Sequence, residues 1–147
     1  MAAIEELGIE PSTVLFEFTE SGMISYDDSV QRLLDVLNEN EVKIALDDFG
    51  TGYSSLAYLQ NLKVNLLKLD RGFTAKAVIN DFDYNLIGHI VDMAHSIGMQ
   101  VCFEGIETEE ELKKLKKLEP DFIQGFYYGR PVDKEMFYEH NLKRFEV

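Results

Sequence analysis

An α/β fold with about five parallel strands alternating with helices is predicted by this sequence from three observations. Short apolar runs of strand length recur along the chain, amphipathic helical patterns separate them, and no linker or low-complexity stretch interrupts the alternation. A single domain fits the 147 residues, and 46% apolar with 12% aromatic residues supply a packed core rather than a disordered chain.

The expected strands are Val14 to Phe18, Lys43 to Leu46, Asn65 to Leu69, Gln100 to Phe103 and Asp121 to Ile123. Glu5-Glu6-Leu7 lies in a helical segment ahead of the first of them. Val30, Leu33, Leu34 and Leu37 follow the i, i+3, i+4, i+7 spacing of a helix that starts after Asp27-Asp28-Ser29. Ile87, Ile90, Val91 and Ala94 repeat that spacing, and Gly98 stands where a left-handed cap ends the helix. Thr108 and Glu111 have capping-box spacing ahead of Leu112, Leu115 and Leu118. Lys113, Lys114, Lys116 and Lys117 read as a solvated surface late in that helix, where cations suit the dipole. Strand and helix in alternation imply right-handed crossovers that bring all the strand ends to one edge of the sheet.

Composition narrows the function. No apolar run approaches the roughly 18 residues needed to span a bilayer, and the acidic Ile4-Glu5-Glu6-Leu7 lacks the basic flank of a signal peptide, so a cytoplasmic protein is expected. Cys102 is the single cysteine and sits in an apolar run, which reads as a buried thiol and excludes a disulfide framework or a zinc cluster. A net charge of −13 opposes binding of a DNA or RNA polymer. A phosphate ester could approach such a surface only through a cation, and a divalent metal is the natural one.

The informative feature is the rank of polar residues at the strand ends. The first run carries Glu17, the second ends in Asp47-Asp48, the third carries Lys68, the fourth ends in Glu104 and the fifth in Gln124. Parallel α/β enzymes build their sites on this edge. Glu17, Asp47, Asp48, Glu104 and the nearby Glu107 cannot all remain ionised side by side, so protons or cations must neutralise them. Oxygen donors without cysteine or a strand-end histidine select hard ions, Mg²⁺ or Mn²⁺. Adjacent aspartates allow one carboxylate to bridge two ions while its neighbour binds one, an arrangement suited to phosphodiester hydrolysis.

Plainer readings exist for each residue. A strand-end carboxylate taken singly is an ordinary helix N-cap, and Gln124 could cap the helix after the last strand. Lys68, inside an apolar strand, needs an anionic partner and could serve only as a structural ion pair. Lys68 could also be the Schiff-base nucleophile of an unrelated barrel enzyme. His89 and His95 stand six residues apart, which is not a metal-pair spacing on one helix face, and read as surface or packing residues. Asp48-Phe49-Gly50 spells the kinase metal-binding triplet, but the glycine-rich loop and the His-Arg-Asp segment of a kinase are missing.

Asp47-Asp48-Phe49-Gly50-Thr51-Gly52-Tyr53-Ser54-Ser55-Leu56 resembles the signature loop of the EAL domain family. Leu15-Phe16-Glu17-Phe18-Thr19-Glu20-Ser21, Lys68-Leu69-Asp70-Arg71-Gly72-Phe73, Glu104-Gly105-Ile106-Glu107 and Gln124-Gly125-Phe126-Tyr127-Tyr128-Gly129-Arg130-Pro131 resemble four further stations of that family, in order and spacing. The resemblance implies a (β/α)8 barrel that hydrolyses cyclic di-GMP to linear pGpG with two Mg²⁺ or Mn²⁺ ions. It also implies roles. Glu17, Asp47 and Asp48 would hold metal, with Asp47 bridging, Glu104 would bind metal or its water, and Lys68 would orient or polarise the attacking water. Glu107 and Gln124 would support the water network. Glu20 would steady the signature loop, whose Gly50 and Gly52 permit tight turns and which in the family couples metal binding, substrate binding and dimerisation.

A complete barrel of this kind needs about 250 residues and eight strands. Only 46 residues precede Asp47, too few for the family's Glu-Ala-Leu strand and the asparagine ligand that follows it. The expectation is therefore a partial (β/α)8 barrel, with residues 1–147 as the C-terminal portion of an EAL domain. By itself it would be weakly active or inactive, or else a non-catalytic regulatory module. Its two open sheet edges would favour a homodimer or pairing with a missing piece.

Overall fold

The computed structural model describes residues 2–19, 28–50 and 63–140. Within them a five-stranded sheet is built from β1 (Leu15–Thr19), β2 (Lys43–Phe49), β3 (Leu66–Leu69), β4 (Gln100–Phe103) and β5 (Phe122–Ile123). All pairings are parallel and the spatial order is β1-β2-β3-β4-β5. Sequential order is that of a barrel wall, because a doubly wound sheet reverses its order at a switch point.

Among the described residues six α-helices accompany the strands: α1 (Ala2–Glu6), α2 (Asp28–Glu39), α3 (Arg71–Ile79), α4 (Asp81–Ser96), α5 (Glu109–Leu115) and α6 (Lys134–His140). The apolar stripes read from the sequence face the sheet, except that Leu33 of α2 is 44% exposed. Leu34 and Leu37 of α2, Ile87, Ile90, Val91 and Ala94 of α4 and Leu115 of α5 are buried in one cluster with Ile44, Leu46, Leu67, Leu69, Val101 and Phe103. The opposite face of the sheet buries a second, smaller cluster, Ala45, Leu66 and Cys102. Strands apolar on both faces are what a parallel sheet requires, and β3 (Leu66-Leu67-Lys68-Leu69) is buried at every position.

The caps follow the sequence closely. Gly98 has φ +79° behind α4, and Thr108 and Glu111 form the reciprocal capping box at the start of α5. Two features depart from the reading above. Helix α3 was not foreseen, because its nine residues carry little amphipathic contrast; the Asp70 side chain starts it by accepting from Gly72 N–H at 2.7 Å. The lysine run is not simply a solvated surface either. Lys113 pairs with Glu109 one turn away, but Lys114 crosses to α3, donates to the Val78 carbonyl at 2.9 Å and stands 5.2 Å from the centre of the Tyr84 ring.

Among the described residues, apolar side chains remain exposed at the edges of the sheet and beyond it. Leu15 and Phe16 on β1 and Phe122 on β5 are between two-fifths and one-half exposed, as are Phe126, Phe137 and Met136 farther along. No helix of the described residues is long and apolar enough to cross a membrane.

Candidate metal centre

The centre starts from an irregularity in β2. Leu46 pairs with Leu67 and Phe49 with Leu69, so three steps on β2 match two on β3, and a bulge falls at Asp47-Asp48. Asp48 takes φ +57°, a left-handed conformation that aspartate tolerates better than most residues, and its N–H donates to Asp47 Oδ1 at 3.0 Å. A regular pleat would send neighbouring carboxylates to opposite faces of the sheet. The bulge instead lets Asp47 and Asp48 join Glu104, each offering one oxygen, with all three oxygens within 4.8 Å of one another.

Lys68 holds the cluster from below. It is 5% exposed, and its Nζ lies 3.0 Å from Glu17 Oε1, 3.0 Å from Asp47 Oδ1 and 2.9 Å from Glu104 Oε1. Three donors of one ammonium meet three carboxylates. Burial acts against its charge, but the hydrogen bonds to Glu104, Asp47 and Glu17 outweigh burial and push its pKa up. An amine held this firmly as ammonium is no nucleophile at neutral pH, which removes support from the Schiff-base alternative.

Glu104 shows the opposite imbalance. Burial first, then the charges of Asp47 and Glu17, push its carboxyl above the usual range against the pull of Lys68. One ammonium does not balance Glu17, Asp47, Asp48 and Glu104 together. Each carboxylate has two oxygens and several lone-pair sites, so the bonds to Lys68 leave capacity for a cation. The donor set is oxygen only and fits a hard divalent ion such as Mg²⁺ or Mn²⁺.

The remaining expected site residues fall around this cluster. Glu107 is outside it and pairs with Arg71, Oε1 to Nη2 at 3.0 Å. Gln124 extends the β4–β5 ladder, donating its N–H to Phe103 O at 2.8 Å and accepting from Ile106 N at 3.2 Å. Its side chain lines an open trough of about 550 Å³ on the inner face, with Glu17 and Lys68 among the polar walls and Leu15, Leu66, Cys102 and Phe122 among the apolar ones. Gly50 has φ +101°, and a Cβ there would stand 2.8 Å from Phe73 Cδ1, so glycine is required on both counts. Glu20, Gly52 and the rest of the signature loop from Thr51 to Leu56 lie outside the described residues. Burial pushes the Cys102 thiol up to about 11, in keeping with an unreactive packing residue. Arg71 and Thr74 contact the Glu104–Glu107 segment; Arg71 stands in the Lys68–Phe73 station but has no role assigned from the sequence, and Thr74 carries no signal there, lying on the helix that periodicity missed.

Set against known proteins, the model of the EAL domain matches residues 1–131. The chain belongs to the EAL domain family. Among EAL relatives, the bifunctional diguanylate cyclase/cyclic di-GMP phosphodiesterase MucR of Pseudomonas aeruginosa is 38% identical over 127 residues, 86% of this chain and 18% of MucR. A solved MucR phosphodiesterase in complex with c-di-GMP superposes with a TM-score of 0.85 at 36% identity, over 92% of this chain and 55% of that one. The EAL domain of Mycobacterium smegmatis DcpA gives a TM-score of 0.87 at 32% identity, over 97% and 64%. Klebsiella pneumoniae BlrP1, solved as a manganese/cy-diGMP complex, gives 0.83 at 30% identity, over 89% and 33%. The chain spans under a quarter of the length of the first curated relatives it matches. Its five parallel strands and flanking helices are a part of the (β/α)8 fold of these EAL domains.

Proposed function

We propose that this chain is the C-terminal part of a cyclic di-GMP phosphodiesterase domain and carries the larger share of its two-metal centre. The oxygen cluster of Asp47, Asp48 and Glu104, set against Lys68 at the C-terminal edge of the sheet, is the observation that carries the reading. Mg²⁺ or Mn²⁺ bound there would activate water and stabilise the attacking and leaving oxygens of the phosphodiester. The chain's own groups have definable tasks. Asp47 would bridge, Asp48, Glu104 and Glu17 would complete the ligation, and Gln124 and, beside its pair with Arg71, Glu107 would support the water network. Lys68, as ammonium, cannot take the proton of the attacking water; to orient that water it would have to release one of its three carboxylate hydrogen bonds, and the proton would pass to a carboxylate of the cluster. The product of such hydrolysis is linear pGpG.

The expected behaviour of the chain alone is metal-dependent binding of cyclic di-GMP with little turnover. Titration calorimetry with Mn²⁺ present and absent tests this, with Asp47→Asn and Glu104→Gln abolishing the metal-dependent part. Binding indifferent to metal and to both substitutions overturns the reading. Robust hydrolysis would show that the site is complete without further strands. Metal-dependent binding with no hydrolysis under any condition favours a second reading, a regulatory EAL-like module, for which the open trough is the supporting feature.

The same reading includes association in a cytoplasmic setting. Among the described residues β1 and β5 stand at the edges of the sheet, with Phe16 46% and Phe122 49% exposed, and invite pairing with a second copy or with a further piece of the barrel. Gel filtration with light scattering should show concentration-dependent self-association, and a monomer at every concentration counts against the second copy.

A further inference from the structure

The first turn of α3 grips the segment after β4 at three points. Arg71 pairs with Glu107, and the Arg71 stem fills the space beside Gly105, where a Cβ would stand 2.2 Å from Arg71 Cγ and where φ is +72°. The third contact is made by Thr74, whose Oγ1 lies 2.8 Å from the Glu104 carbonyl oxygen and 3.0 Å from that of Arg71. Thr74 is 1% exposed, and with Lys68 it is one of the two buried polar side chains among the described residues.

A hydroxyl has one proton to donate. The bond to Arg71 is the local back-bond open to any helical threonine. The bond to Glu104 is shorter and joins two elements thirty residues apart. The Glu104 N–H is also held from the same side, donating to Leu69 O at 3.1 Å. Both peptide groups of Glu104 are thus fastened to the β3–α3 unit, which also carries Lys68.

We propose that Thr74 is a positioning residue for the metal centre, its hydroxyl holding the Glu104 peptide so that the Glu104 carboxylate meets Lys68 and the Asp47-Asp48 pair. The inference rests on reading that cluster as a metal centre. Groups that orient a metal ligand without touching the metal change affinity when removed, even where the fold survives.

The test measures Mn²⁺ affinity by electron paramagnetic resonance of the free ion, beside thermal unfolding in EDTA. Thr74→Val keeps the shape and removes the donor, and should weaken Mn²⁺ binding about tenfold, whereas Thr74→Ser should stay within about twofold of the parent. Val91→Ala, on α4 in the helix-facing core, lowers stability without touching the centre and should leave Mn²⁺ affinity unchanged. Equal affinity in Thr74→Val and the parent overturns the inference, and so does a loss in Val91→Ala as large as in Thr74→Val. Should Thr74→Val fail to fold, Thr74→Ser against Thr74→Ala decides, because the two differ only in the hydroxyl; equal affinities overturn the inference. If the parent chain itself holds no Mn²⁺, the metal reading falls and this one with it, whereas a parent that binds and a variant that binds equally remove only the role of Thr74.

Discussion

The two ends of the sheet use the same kind of side-chain oxygen for opposite purposes. At the N-terminal edge, Asn65 Oδ1 accepts from Ile44 N–H at 2.8 Å, and Asp121 Oδ2 accepts from Val101 N–H at 2.8 Å and contacts His95 Nε2 at 2.9 Å. Each acceptor there extends the ladder by one rung, and Asp121 also ties α4 to the start of β5. At the C-terminal edge the carboxylates of Asp47, Asp48 and Glu104 face one another, with Lys68 as the buried counterion. Satisfied oxygens stabilise a fold, whereas crowded ones store repulsion that a bound cation can release.

Removing Lys68 tests the contrast most severely. Lys68→Met should destabilise the apo chain by about 3 kcal/mol, since it leaves partly buried carboxylates without their counterion. Mn²⁺ should restore more stability to the variant than it adds to the parent, as read by urea unfolding with and without the ion. A variant as stable as the parent without metal would mean that the cluster is not under repulsion.

Gly125 asks how far backbone shape alone maintains the functional edge. A Cβ there would stand 2.0 Å from Ile106 O and 2.4 Å from Ile106 N, atoms that cannot swing away. Gly125→Ala should cost about 2 kcal/mol and displace the turn after β5, visible as lost amide protection at Tyr127, whose N–H donates to Ile106 O. Unchanged protection at Tyr127 would show that the turn relaxes freely.

The smallest effect is expected at the structural edge. Burial disfavours the charged form of Asp121, but the Val101 N–H and His95 more than compensate and hold its carboxyl below the usual range. A depressed carboxylate stabilises the fold above its unfolded pKa, and this contribution is lost as pH falls through the folded value. Asp121→Ala should therefore cost about 1 kcal/mol at pH 7, with the gap to the parent narrowing in acid below about pH 4. A gap independent of pH would assign the loss to packing instead.

Much of this was readable along the chain. The five strands and the capped ends of α4 and α5 follow from apolar runs and cap chemistry, which are local. Glu17, Asp47, Lys68, Glu104 and Gln124 stood out because polar residues closed or interrupted apolar runs that had to be parallel. The bulge that turns Asp47 and Asp48 to one side was not readable, since it depends on how β2 registers with β3. Nor was α3, which owes its existence to docking on α4 and to the Asp70 cap rather than to its own periodicity. Thr74 is invisible for the same reason, the role of Arg71 toward Glu107 is not legible from its motif, and Lys114 reads as solvated only as long as α3 and its Val78 carbonyl are left out.

Local chemistry by itself determined the alternation of strand and helix, the edge on which polar residues gather and the oxygen-only donors of that gathering. Tertiary structure alone decided which oxygens meet, that Lys68 serves three carboxylates at once, and that Glu107 turns to Arg71 instead. The division has a physical cause. Periodicity and capping act over a few residues, but distances between carboxylates on β1, β2 and β4 are set by strand register, and register is set by the packing of all the layers together.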